Sequence, residues 1–212
     1  MKDPRLHGLY AITDAGLMAH HFAAAVEQTL QGGSRIIQYR DKSKDSKKRL
    51  QQAQLMRRLC DQYQALFIVN DDIELARLAH ADGVHIGKDD LNIIAARQHL
   101  GTEAIIGVSC YNRLELAVEA EHAGADYVAF GAFFSSSIKP DAIAAPLSLV
   151  HQARARLQIP VCCIGGINAG NAAPLIAAGS DMIAVISDIF KPENAQQDIK
   201  QASEQLSKLF SA

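Results

Sequence analysis

Missing from this chain is any apolar run near the ~18 residues that a bilayer-spanning helix needs, so no membrane partner is expected. Its opening, Met1-Lys2-Asp3-Pro4-Arg5, lacks the apolar stretch of a secretory signal, and the sequence predicts a cytoplasmic protein. A basic excess is missing too. The formal net charge is -2, which argues against nucleic acid and makes any anion site a local feature. Cysteine is sparse: Cys60, Cys110, Cys162 and Cys163 form no CxxC pair, and the last two lie in an apolar, strand-like run where thiols behave as small hydrophobes. Among eight histidines the only close pair is His20-His21, whose side chains would diverge on a helix, so no zinc site is expected. Linkers and low-complexity tracts are absent, and no GxGxxG turn follows the first strand.

What is present fits one domain over 1–212: 212 residues with 49% hydrophobic content can bury a substantial core. Short apolar runs alternate with longer stretches of helical period, the pattern of repeated βα units. The strand candidates are Leu9-Ile12, Arg35-Tyr39, Leu66-Val69, Gly83-Ile86, Ala104-Val108, Tyr127-Phe130, Pro160-Ile164 and Met182-Val185. Helical stretches are expected near 19–31, 45–62, 72–80, 92–99, 113–123, 146–157, 169–178 and 195–210, with Gly32, Gly101, Gly124 and Gly179 as left-handed stops. Asp82-Gly83-Val84, Asp126-Tyr127-Val128 and Asp181-Met182-Ile183 echo one another, each an acidic residue ahead of an apolar run. Eight units close an α/β fold, the (β/α)8 TIM barrel. The rival is an open doubly wound sheet, but chemistry-bearing motifs follow most strands and do not cluster at one switch point.

Those motifs lie at the C-terminal ends of the strand candidates, on what would be one rim. Gln38, Arg40 and Lys42 alternate on an extended segment, so they share a face opposite Tyr39 and Asp41, and an aimed Arg and Lys would clamp an anion. Lys44, Lys47, Lys48 and Arg49 continue the basic run onto a helix starting at Asp45-Ser46 and are expected to face solvent. Asn70-Asp71 and Asp90 follow neighbouring strands and would bring two carboxylates together as a magnesium site, one ion per site. Taken singly, each aspartate is equally a helix cap. Ser135-Ser136-Ser137 before Lys139 offers hydroxyls, N–H groups and an ammonium, while Gly165-Gly166 and Ile186-Ser187 occupy the two loops that hold phosphate in many such barrels. His85 and Ser109, taken singly, are structural polar residues. Together the motifs describe two anion subsites in one mouth, suited to two phosphorylated small molecules.

Leu9-Tyr10-Ala11-Ile12-Thr13-Asp14, Gln38 to Lys42, Phe67 to Asp71, Asp82 to Gly87, Ile106 to Ser109, Gly124 to Val128 and Ile164 to Ile167 resemble, in order, the thiamine-phosphate synthase family. The resemblance implies a transferase of thiamine biosynthesis. It would join 4-amino-5-hydroxymethyl-2-methylpyrimidine diphosphate to 4-methyl-5-(2-phosphooxyethyl)thiazole and release pyrophosphate. It also implies that Gln38, Tyr39, Arg40, Asp41, Lys42, Asn70, Ser109 and Lys139 hold the pyrimidine diphosphate, with Arg40, Lys42, Ser109 and Lys139 as the catalytic set. Asp71 and Asp90 would bind Mg2+, and Ser136, Ser137, Ile138, Gly166, Ile186 and Ser187 would line the thiazole phosphate site. Three residues depart from the family pattern: Ile138 replaces a threonine and its hydroxyl, Lys88 replaces a glutamine beside the metal aspartates, and Ala132 replaces a proline. The alternatives are a thiazole tautomerase paralogue, which needs neither the carboxylates nor the basic motif, and a non-catalytic barrel that only binds phosphate ligands. Such a chain is compatible with a homo-oligomer.

Overall fold

Strand-forming runs of four to seven residues, each buried on both faces, alternate with helices that cover them. The computed structural model describes residues 3–18, 21–87, 93–135, 144–191 and 199–211. Its strands are Gly8–Ile12 (β1), Ile36–Tyr39 (β2), Leu66–Asn70 (β3), Gly83–Ile86 (β4), Ile105–Tyr111 (β5), Tyr127–Phe130 (β6), Val161–Ile164 (β7) and Met182–Val185 (β8). All neighbours are parallel, and β1 pairs with β8 from Gly8 opposite Met182 to Ala11 opposite Val185, so the sheet closes into the barrel the sequence predicts. The helices are Phe22–Gln31 (α1), Ser46–Tyr63 (α2), Ile73–Leu78 (α3), Ile93–Leu100 (α4), Leu114–His122 (α5), Ser148–Arg156 (α6), Ala173–Ala177 (α7), Ser187–Phe190 (α8) and Ile199–Lys208 (α9). The short α8 was not expected from the sequence, because four residues are too few to show a helical period. No described helix is long and apolar enough to cross a membrane.

Alternation along each strand sorts the core into two layers. Leu9, Ala11, Ile37, Tyr39, Phe67, Val69, Val84, Ile86, Val128 and Phe130 pack outward against the helices. Tyr10, Ile12, Ile36, Leu66, Ile68, Ile105, Tyr127, Ala129, Cys162, Met182 and Ala184 fill the interior. All four cysteines are buried and unpaired, and burial pushes the thiols of Cys60, Cys110 and Cys163 up to about 12.

The acidic echo has a structural meaning. At the strand starts, Asp82 Oδ2 accepts from Phe67 N–H (2.7 Å) and from Arg57 of α2 (2.8 Å). Asp126 Oδ2 accepts from Ile106 N–H (2.7 Å) and Arg97 of α4 (2.8 Å). Asp181 Oδ2 accepts from Val161 N–H (2.7 Å) and Arg154 of α6 (3.0 Å). Each carboxylate thus ties two strands and a helix at the lower rim, with charge-assisted bonds that outweigh neutral ones. In the first strand pair Arg35 stands at that place, and Ser34 donates to the Leu9 and Ile36 carbonyls as Ser180 does to those of Val161 and Met182.

The left-handed glycine after α1 is Gly33 (φ 93°), not the expected Gly32 (φ -76°); a Cβ on Gly32 would run into Ser203 and the backbone of α9. Gly101, Gly124 and Gly179 take the expected left-handed conformation, with φ of 92°, 93° and 103°.

Candidate active site

Two strands run further than their sequence boundaries suggest, and this sets the mouth. β3 extends to Asn70, which pairs with His85, and β5 extends through Ser109, which pairs with Ala129 before the register shifts toward Tyr111. Asn70 and Ser109 therefore project from strand ends rather than from loops, on rigid backbone suited to precise placement.

At β2, Gln38 is 2% exposed and points into the barrel, where its Nε2 donates to Tyr10 OH at 2.7 Å. Tyr39 points the other way, into the helix layer. Its hydroxyl donates to Gln52 Oε1 at 2.9 Å, its ring meets Phe22 edge-on, and burial pushes its phenol up. Arg40 follows on the mouth side, its N–H held by Thr13 Oγ1 (2.9 Å) and its guanidinium 3.5 Å from Asp14. Asp41 takes Lys48 at 3.0 Å and the Ser43 N–H at 2.7 Å. Burial alone would raise its carboxyl, but these donors hold it below the ordinary value. Arg40, Asp41, Lys42, Ser43 and Lys48 line a cleft of about 430 Å3 with Asp14, Ala15 and Gly16. Arg49 departs from the solvent-facing expectation: at 22% exposure it pairs with Asp72 (2.9 Å) and joins α2 to the start of α3.

The two aspartates that follow β3 divide their roles. Asp72 caps α3, accepting the Leu75 N–H at 2.8 Å. Asp71 does no capping. It sits at φ 62°, a conformation that side chains other than Asn and Asp rarely adopt, with its N–H on the His85 carbonyl and its exposed carboxylate receiving Asn70 Nδ2 at 2.6 Å. A carboxylate left outside the capping role, at a strand end, with an amide holding it, fits the oxygen-donor chemistry of a magnesium site. The second expected ligand, Asp90, lies outside the described residues, as do Lys88, Ser136, Ser137, Ile138 and Lys139. Among the described residues no three His, Cys, Asp or Glu side chains gather as a metal site.

Across the mouth, Gly166 is left-handed (φ 62°), and a Cβ there would collide with the Ser135 and Phe134 carbonyls. The loop after β7 can approach the loop after β6 this closely only with glycine. Asn171 Nδ2 anchors the Gly166 carbonyl at 3.0 Å. Ile186 follows β8 as the N-cap of α8 and Ser187 opens that helix, whose first N–H groups have no partner within it.

Sequence reasoning missed the interior tyrosines Tyr10 and Tyr127 and the network they form with Gln38, His85 and Ser109. His85 Nε2 lies 2.8 Å from Ser109 Oγ and its Nδ1 lies 2.9 Å from Tyr127 OH, which is 2.8 Å from Tyr10 OH. The signal available was a tyrosine at an inward position of β1 and another at β6, each bringing a hydroxyl that must find a partner when buried. Burial alone pushes the His85 imidazole down to about 4, so the ring is neutral at physiological pH.

Polar groups at the carboxyl ends of β2, β3, β5, β7 and β8, set on an eight-stranded parallel barrel, define a (β/α)8-barrel protein whose site is built from its βα ends. Residues 9–189 match the family described as thiamine monophosphate synthase. The chain is 51% identical over 207 residues, 97% of its length and 96% of the relative's, to a thiamine-phosphate synthase of Thioalkalivibrio sulfidiphilus. It is 54% identical over 191 residues, 90% of its length and 92% of the relative's, to one from Chromobacterium violaceum. The solved thiamine phosphate pyrophosphorylase from Pyrococcus furiosus superposes with a TM-score of 0.88 at 35% identity, covering 99% of this chain and 98% of that one. The chain belongs to the thiamine monophosphate synthase family.

Proposed function

We propose that this chain is a cytoplasmic transferase that couples 4-amino-5-hydroxymethyl-2-methylpyrimidine diphosphate to 4-methyl-5-(2-phosphooxyethyl)thiazole, giving thiamine phosphate and pyrophosphate. The observation that carries this reading is the near-full-length identity, 51% over 97% of the chain, to a relative named thiamine-phosphate synthase. The mouth geometry is consistent with it, because anion-binding groups stand on both sides of one opening.

Gln38, Arg40, Lys42, Asn70 and Ser109, with Lys139, hold the pyrimidine diphosphate, while Tyr39 and Asp41 shape the segment from the helix side. The C–O bond between the pyrimidine methylene and the diphosphate breaks first, and its electron pair leaves with the diphosphate. Arg40, Lys42 and Lys139 offset the charge that develops there, a preorganised electrostatic role whose single contacts are typically worth about 10² to 10³ in rate. The aminopyrimidine ring bears the methylene cation until the thiazole nitrogen lone pair closes the C–N bond. Backbone N–H groups of Gly166, Ile186 and Ser187, with Ser136, Ser137 and Ile138, hold the thiazole phosphate so that this nitrogen faces the methylene. Asp71 and Asp90 would hold one magnesium ion, which supplies further neutralisation of the diphosphate when bound. No side-chain nucleophile is needed.

The test is one incubation with both substrates and magnesium, following pyrophosphate and thiamine phosphate. Formation of both, abolished by chelator, is expected. Consumption of a thiazole precursor without pyrimidine diphosphate would instead identify a tautomerase.

A further inference from the structure

Five polar side chains from five strands form one unbroken hydrogen-bonded chain inside the barrel. Gln38 Nε2 reaches Tyr10 OH at 2.7 Å, Tyr10 OH reaches Tyr127 OH at 2.8 Å, Tyr127 OH reaches His85 Nδ1 at 2.9 Å, and His85 Nε2 reaches Ser109 Oγ at 2.8 Å. The two ends are residues assigned above to the pyrimidine diphosphate. The three between them are interior: Tyr10 is 1% exposed, Tyr127 0% and His85 8%. Apolar side chains fill the rest of this layer, and a buried hydroxyl is costly unless both its roles are met, so three polar heads here call for an explanation. The backbone also makes room for them. A Cβ on Gly107 would lie within the Tyr127 ring, so the bare glycine on β5 is what lets that ring cross the interior.

Counting protons fixes the direction of the chain. An amide nitrogen only donates, so Tyr10 accepts from Gln38, and its single proton goes to the Tyr127 oxygen. Tyr127 then donates to His85 Nδ1, which must be bare. The imidazole proton sits on Nε2 and goes to Ser109 Oγ. The Ser109 proton is left over, and no described residue accepts it. Running the chain backwards would make Tyr10 accept twice and leave its own proton without an acceptor in a buried layer. It would also spend the Ser109 proton on His85, so that Ser109 met an oxyanion only with lone pairs.

We propose that Tyr10, Tyr127 and His85 are positioning residues that couple Gln38 to Ser109 across the barrel and fix the Ser109 hydroxyl as a donor toward the diphosphate oxygens. This rests on the coupling reaction assigned above, but its structural core does not. The proton position can be read on the resting protein by two-bond nitrogen–proton correlation with 15N-labelled histidine, the His85 signal being assigned by its loss in His85→Gln. A neutral ring protonated on Nε2 is expected. A ring protonated on Nδ1 would overturn the proposal whatever reaction the protein performs.

The functional half is a double-mutant cycle on kcat/KM for the pyrimidine diphosphate. Tyr127→Phe keeps the ring and cuts the chain at its centre, and Tyr10→Phe does the same should Tyr127→Phe not fold. About a tenfold loss is expected from either, the scale of one hydrogen bond. In a Ser109→Ala background the same change should add less than about twofold, since groups acting through one another are not additive. Full additivity, or a fall in Tm with kcat/KM unchanged, would show that the chain is packing only.

Discussion

At the lower rim Asp82, Asp126 and Asp181 perform one task three times, whereas at the mouth Gln38, Asn70 and Ser109 each make a different contact, to Tyr10, Asp71 and His85. Each lower aspartate accepts a strand N–H and an arginine from the helix preceding that strand. At the mouth, Gln38, Asn70, Ser109 and Ile186 present two carboxamides, a hydroxyl and an aliphatic side chain. The repeated rim ties β3 to β4, β5 to β6 and β7 to β8, and one solution serves all three pairs. The mouth must surround an asymmetric pair of molecules, so each position is specialised. Perturbing the lower rim should cost stability and spare turnover, and the reverse should hold above.

The largest effect is expected at Asp71. Asp71→Asn keeps a side chain that tolerates φ 62° and removes the charge, so steady-state pyrophosphate release should fall by about 10² to 10³ with Tm nearly unchanged. Turnover near wild type would remove Asp71 from the site.

Next comes the buried imidazole. An ordinary histidine titrates near 6.5, and burial lowers His85 to about 4. The unfolded chain takes up the proton first as pH falls, so this contribution is intact above pH 6.5 and is lost between 6.5 and 4, by about 3 kcal/mol in all. Urea unfolding at pH 7 and 4.5 should show a shallower decline for His85→Gln than for wild type. Parallel declines would count against burial of a neutral ring.

At the lower rim, Asp126→Ala leaves the Ile106 N–H without its acceptor and should cost about 2 kcal/mol in denaturant unfolding while kcat holds. The smallest effect sharpens the contrast within one dipeptide. Asp72→Ala removes the α3 cap and should cost about 1 kcal/mol of stability with far less effect on turnover than its neighbour.

A covered parallel sheet was legible because its strands are apolar on both faces, and its closure because polar motifs follow most of eight βα units where an open doubly wound sheet would gather them at one switch point. The Asp82, Asp126 and Asp181 echo was visible as spacing, yet its partners were not: Arg57, Arg97 and Arg154 lie on helices ahead of those strands, and nothing local pairs them with the aspartates. Asp71 and Asp72 look equivalent in sequence, and only the backbone turn at φ 62° assigns one to the cap and the other to the mouth. Arg49 reads as one more solvated charge in a basic helix until α3 brings Asp72 to it.

Local pattern alone determined the number of βα units, their order and the rim on which the polar motifs fall, because periodicity and chain direction are properties of neighbouring residues. The partners of those motifs were decided only when the barrel closed. Tyr10, Tyr127 and His85 lie far apart along the chain, and it is closure of the sheet around a shared interior that brings a hydroxyl of β1 within 2.8 Å of one on β6.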